Sequence, residues 1–115
     1  MSDNCLFCKI AAGDIPAKIV FEDDRAIAFE DISPQAPLHV LVVPRKHIAT
    51  LNDLQPEDTE LAGHLVQVAA KIAADRGHDN SGYRTVFNCN ADGGQTVFHI
   101  HLHLLAGRSL TWPPG

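Results

Sequence analysis

The chain has 115 residues, 45% hydrophobic and 20% charged, with no tract biased enough to stay disordered; one domain spanning residues 1–115 fits, burying roughly 65% of its unfolded surface. With 9 Lys and Arg against 14 Asp and Glu, the net charge of −5 argues against a nucleic-acid binder but leaves room for a small phosphate ligand at a locally positive site. No stretch approaches the ~18 apolar residues of a membrane span, and Met1-Ser2-Asp3-Asn4 lacks a basic flank, so no membrane association and a cytoplasmic location are expected.

Cys5 and Cys8 stand two residues apart, a zinc-knuckle spacing that means little until a second pair of ligands joins it. With Cys89 the cysteines are odd in number, which speaks against a disulfide framework and leaves reduced thiols or a metal site. Cys89 itself reads as a core residue. Residues 6–12, closed by Gly13, predict a short helix that Ile15-Pro16 terminates.

Residues 18–22 and 25–30 predict two strands of a hairpin around Asp23-Asp24. Residues 38–43 are apolar on both faces except for His39, which predicts a central strand between Pro37 and Pro44. Over residues 56–76, Leu61, Leu65, Val68, Ala69 and Ile72 share one helical stripe, Pro56 suits the first turn and Gly77 the C-cap. Glu57, Asp58 and Glu60 near the start and Lys71 and Arg76 near the end complement the helix dipole. His64 and His78, on and after this helix, receive no role. Strands over 83–88 and 97–105 follow, separated by the turn-forming Asn90-Ala91-Asp92-Gly93-Gly94. The expected fold is α+β: an antiparallel sheet of about five strands, one long helix on one face and a short N-terminal helix.

In the last strand, alternation puts Phe98, Ile100, Leu102 and Leu104 on the core face and His99, His101 and His103 on the other. His99 and His103 would then lie roughly 13 Å apart, too far to share a metal whose bonds to nitrogen are about 2 Å. A solvated sheet face explains one such histidine better than three in register. Just upstream, Asp92-Gly93-Gly94-Gln95-Thr96 offers two glycines that let backbone N–H groups approach an anion, and a hydroxyl that can donate to it. A phosphate cradle beside imidazoles outlines a phosphoryl-transfer site, although a glycine pair alone is more often a plain turn.

Gly93-Gly94-Gln95-Thr96-Val97-Phe98-His99-Ile100-His101-Leu102-His103 and the closing Trp112-Pro113-Pro114-Gly115 resemble the histidine triad nucleotide-binding family. The likeness extends to Ile15-Pro16-Ala17-Lys18, Asp31-Ile32-Ser33-Pro34-Gln35-Ala36-Pro37 and Val43-Pro44-Arg45-Lys46-His47, and so covers essentially the whole chain. It implies a histidine triad-like fold and a homodimer that hydrolyses purine nucleoside phosphoramidates, including nucleotidyl-lysine and aminoacyl-adenylate types. A dinucleoside polyphosphate hydrolase and a non-catalytic nucleotide-binding adaptor are the alternatives.

By the same resemblance His101 is the nucleophile that carries the nucleotide, which splits one hard displacement into two easier ones. A backbone carbonyl would suit as the acceptor that holds the proton on its other ring nitrogen. His103 and His39 flank the phosphate, and Asn88, Gly94, Gln95 and Thr96 contact it; many relatives carry Ser where this chain has Thr96. Asp31 takes the ribose hydroxyls, where turn statistics alone would read it as a turn residue before Ser33-Pro34. Leu6, Phe7, Ile10, Phe29 and Ile32 enclose the base, and Trp112 lies near the partner's active site. Some relatives with the cysteine pair bind structural zinc through residues matching Cys5, Cys8, His47 and His99, while others lack the cysteines; two partly buried thiols are the alternative here. The chemistry itself needs no cofactor.

Overall fold

A computed structural model describes residues 4–115, so the expectation about a flank at residues 1–3 lies outside the described residues. The first helix, α1 (Leu6–Ala11), is capped by Cys5, whose Sγ accepts from the Cys8 N–H at 3.4 Å. It ends where Gly13 takes a left-handed φ of +83°, letting the Gly13 and Asp14 amides close on the carbonyls of Ile10 and Lys9. Strands β1 (Ile19–Glu22) and β2 (Ala26–Glu30) pair antiparallel, and the Asp23 carboxylate ties their turn by accepting from the Arg25 and Ala26 amides at 2.9 and 2.8 Å.

Strand β3 (Leu38–Pro44) is buried along its whole length, as its two-faced apolar run requires. The long helix, α2 (Thr59–Asp75), follows a 3₁₀ turn at Pro56–Asp58, so the expected first helical turn is tighter than α. Its buried stripe of Leu65, Val68, Ala69, Ile72 and Ala73 packs on the sheet. Strand β4 (Tyr83–Phe87), the short helix α3 (Asn90–Gly93) and strand β5 (Leu102–Ala106) complete the fold. The sheet order is β1-β2-β3-β5-β4, antiparallel throughout.

Both faces of the sheet are covered, where sequence reasoning expected the helix on one. Ala26, Ala28, Val40, Val42, Leu102 and Leu104 meet α2, while Ile27, Phe29, Leu41 and Val43 meet Phe7 and Ile10 of α1 on the opposite side. No helix among the described residues is long and apolar enough to cross a membrane.

The last strand is shorter than expected, beginning at Leu102 rather than at residue 97. The β3–β5 ladder stops at the pair Val42–Leu102, close to Pro44, which has no N–H to donate. Upstream of Leu102 the chain turns away, and the Ile100 amide bonds the Ile48 carbonyl at 2.8 Å. Phe98 is therefore half exposed, not in the core, and His99 does not share a strand face with His101 and His103. Cys89 is only partly buried and lies outside the core clusters, another departure from expectation.

Candidate active site

Register assembles the site. Phe29 on β2 faces Leu41 on β3, which faces His103 on β5, so one row runs across three strands on the α1 side of the sheet. His101 precedes β5 and is buried, its ring 4.9 Å from that of His103 and edge-on to Phe7 with centroids 5.0 Å apart. A cavity of about 480 Å³ opens over this row. Leu6, Phe7, Ile10, Phe29, Asp31 and Ile32 line it at one part, and Thr96, His101 and His103 at another.

Hydrogen bonds fix the proton positions on these rings. The His99 carbonyl can only accept, so His101, with Nδ1 at 2.8 Å, carries its hydrogen there and presents a lone pair on Nε2. At His39 the roles reverse: the Gln35 amide donates to Nδ1 at 3.0 Å, so the neutral ring keeps its hydrogen on Nε2. That Nε2–H donates to His103 Nδ1 at 2.9 Å, which leaves His103 as a donor through its own Nε2–H. Both rings are held neutral. Burial lowers the His39 pKa, with Asp31 opposing. Burial, then His101 and His39, push His103 down to about 4, again against Asp31.

Asp31, His39 and His103 also offer ligand atoms within 4.8 Å of one another. A cation there would need a lone pair on His39 Nε2, which the Gln35 amide has assigned a hydrogen. The cluster is built to pass hydrogen bonds rather than to hold a metal. Asp31 Oδ1 meanwhile accepts from the Ser33 amide at 2.7 Å, so the turn reading of Asp31 holds for a residue that also lines the cavity.

Four residues expected in this chain's site, His39, Asn88, Gly94 and Gln95, do not line the cavity, His39 meeting it only through His103. The Gln95 side chain is buried and engages backbone, accepting from the Asn90 amide and donating to the carbonyls of Ala49 and Val97. The amides of Gly94 and Gln95 close on Ala91 and Asn90, so neither is turned toward an anion as the glycine pair suggested. Asn88 donates to the Gly93 carbonyl at 2.7 Å, and Trp112 is 82% exposed. Conversely, Leu41 and Val97 line the cavity without having been singled out. Leu41 becomes legible only once the β3–β5 register is known; the Gln35 amide, a backbone group, carries no sequence signal at all.

On the other side of His101 lies a second cluster of Cys5, Cys8, His47 and His99, all with ligand atoms within 4.8 Å. His47 Nδ1 and His99 Nδ1 are 3.2 Å apart, Cys5 Sγ is 3.3 Å from His99 Nδ1, and Cys8 Sγ is 3.3 Å from His47 Nδ1. Bonds of about 2.0 Å to nitrogen and 2.3 Å to sulfur give tetrahedral edges of about 3.3–3.8 Å, so the donor set fits a zinc ion. His99 Nε2–H donates to the Pro44 carbonyl at 2.7 Å, which turns the lone pair of Nδ1 toward the cluster.

Comparison with known proteins agrees with this architecture. A family model described as scavenger mRNA decapping enzyme C-term binding matches residues 4–111. The chain is 48% identical over 110 residues to a purine nucleoside phosphoramidase of Escherichia coli K12, covering 96% of this chain and 92% of that one. A HIT family hydrolase from Legionella pneumophila superposes with a TM-score of 0.96 at 59% identity, covering 97% of this chain and all of the other. A histidine triad protein from Clostridium difficile gives 0.92 at 48% identity, with 95% of each chain covered.

Proposed function

We propose that this chain, which belongs to the histidine triad family, is a hydrolase of purine nucleoside 5′-phosphoramidates that works through a covalent nucleotide on His101. The observation that carries the reading is the His101–His99 carbonyl bond at 2.8 Å, because it leaves Nε2 as a nucleophile beside a neutral donor, His103. The 48% identity to a purine nucleoside phosphoramidase supports the substrate class.

In this reading the base sits among Leu6, Phe7, Ile10, Phe29 and Ile32, and Asp31 accepts from the ribose. The Nε2 lone pair of His101 attacks the α-phosphorus, the phosphorus–nitrogen bond to the amine breaks, and the amine leaves with a proton from solvent. Positive charge spreads over the phosphorylated ring, and the His99 carbonyl on its Nδ1–H stabilises it. Thr96 and the Nε2–H of His103 hydrogen-bond the phosphoryl oxygens. Water then attacks the phosphorus, the bond to Nε2 breaks, a proton returns to solvent, and His101 is regenerated. The net reaction consumes one water and releases amine and nucleoside monophosphate.

Cys5, Cys8, His47 and His99 would hold a structural zinc, tying α1 to the chain on either side of the site; the chemistry draws nothing from it. The same reading takes residues 1–115 as one domain, cytoplasmic, working as a homodimer whose Trp112 reaches the partner's site. An 82% exposed Trp112 and a 40% exposed Tyr83 on the edge strand support association. Steady-state hydrolysis of an adenosine 5′-phosphoramidate of a simple amine tests the proposal. Turnover lost in His101→Ala supports it, whereas wild type acting only on dinucleoside polyphosphates moves the assignment to the anhydride-cleaving reading.

A further inference from the structure

The loop between β2 and β3 does more than join two strands, because its Gln35 amide sets which nitrogen of His39 carries the hydrogen. The carbonyl of the same residue, which belongs to the next peptide, is also held. The carbonyl of Gln35 accepts from Arg108 Nε at 3.0 Å, and Arg108 NH1 donates to the Ser109 carbonyl at 3.0 Å, so the guanidinium spans the loop and the segment after β5. One residue earlier the backbone passes so close to the loop that a Cβ on Gly107 would meet Pro37 Cβ at 2.8 Å, and Gly107 has φ +97°. Two contacts from the segment after β5 therefore press on the loop.

We propose that Arg108 is a positioning residue for the histidines, holding the Gln35 carbonyl and with it the backbone of that residue, so that the amide on the other side of its Cα keeps His39 in the Nε2–H form. Arg108 Nε holds the Gln35 carbonyl, and across the Gln35 Cα a line of hydrogen bonds runs from the Gln35 amide to His39 Nδ1 at 3.0 Å and from His39 Nε2 to His103 Nδ1 at 2.9 Å. Each bond fixes the sense of the next, because a ring nitrogen that accepts forces its partner nitrogen to donate. Polarisation along such a line strengthens its members. Without the guanidinium, the Gln35 backbone is free to rotate and its amide to swing off Nδ1; His39 then samples the other tautomer, with its hydrogen on Nδ1, and stops donating to His103. Arg108 lies outside the cavity lining and acts only through the loop.

The inference rests on the proposed role of His103 in catalysis, but its first readout does not. Long-range proton–nitrogen NMR correlations on ¹⁵N-histidine protein at neutral pH report the tautomer of His39 directly, in wild type, Arg108→Met and Arg108→Lys. We expect a single Nε2–H pattern in wild type, a tautomer mixture in Arg108→Met, and partial return in Arg108→Lys. With an adenosine phosphoramidate, kcat should fall about tenfold in Arg108→Met while KM stays within about twofold, since misplacing a catalytic group slows the chemical step more than binding. Gly107→Ala, which pushes Pro37 and the loop aside with Arg108 intact, should give the same spectral change and serves if Arg108→Met folds poorly. A His39 spectrum identical to wild type in folded Arg108→Met overturns the inference, whatever the rates, and if that variant folds poorly the same result in Gly107→Ala overturns it. A changed spectrum in a protein that hydrolyses no phosphoramidate would keep the inference and sink the functional reading instead.

Discussion

The imidazoles owe their different roles to single hydrogen-bond partners. His101 and His103 are two residues apart, yet a carbonyl on one Nδ1 and an N–H on the other make the first an acceptor at Nε2 and the second a donor there. A pH dependence of stability follows. The folded pKa of His103, about 4, lies below the ordinary 6.5, so the unfolded chain binds more protons between those values. The stabilisation is complete above about pH 6.5 and fades as pH falls toward about 4. The Tm of wild type should thus drop across that window, and His103→Asn should flatten the drop; parallel curves would remove the argument. At Asp23, burial raises the carboxyl pKa, but the Arg25 and Ala26 amides and His64 outweigh it and hold it below the ordinary 3.8. Its contribution is present above that value and lost only in stronger acid. His64, left without a role on sequence grounds, lies 2.7 Å from Asp23 and so joins α2 to the β1–β2 turn.

At the scale of elements, the antiparallel sheet, the central β3 and the stripe of α2 were legible because burial on two faces or one leaves a periodic mark in sequence. Leu65 is fully buried on that stripe, and Leu65→Ala should cost about 3–5 kcal/mol in denaturant unfolding, the range for a cavity that cannot collapse. A cost below about 1 kcal/mol would mean the helix does not pack as described. What failed was the strand expected from residue 97. Alternating Phe98, Ile100 and Leu102 looked continuous, but a proline on the neighbouring strand and an amide bonded to Ile48 end the ladder at Leu102. That break sends His99 to the cysteines and leaves His101 and His103 in the cavity, so the row of three is in fact two sites. The cysteine cluster brings α1 into the site wall, and elemental analysis should find about one zinc per chain, lost in Cys5→Ser/Cys8→Ser together with several degrees of Tm. Unchanged metal content in the double variant would eliminate the cluster as the site.

For the molecule as a whole, β1 to β5 supply a wall, α1 covers it with apolar side chains, and two arginines, Arg84 on β4 and Arg108 after β5, clamp the segment that follows β5. Arg84 on β4 donates to the carbonyls of Leu110 and Thr111 at 2.9 and 2.8 Å, directing the chain toward an exposed Trp112. Truncation after Ser109 should therefore leave the Tm nearly unchanged while shifting the relative rates for two amine leaving groups; a large loss of stability with unaltered selectivity would assign the tail to the fold instead. Everything proposed for the cavity turns on His101 carrying the nucleotide between the two chemical steps. Rapid acid-free quench of wild type with an adenosine phosphoramidate, followed by peptide mapping in a mass spectrometer, tests it most directly. An adenylyl group on the peptide containing His101, absent from His101→Ala, is the predicted result. Turnover with no adduct on any histidine, or an adduct mapped to His103 or His39, would contradict it.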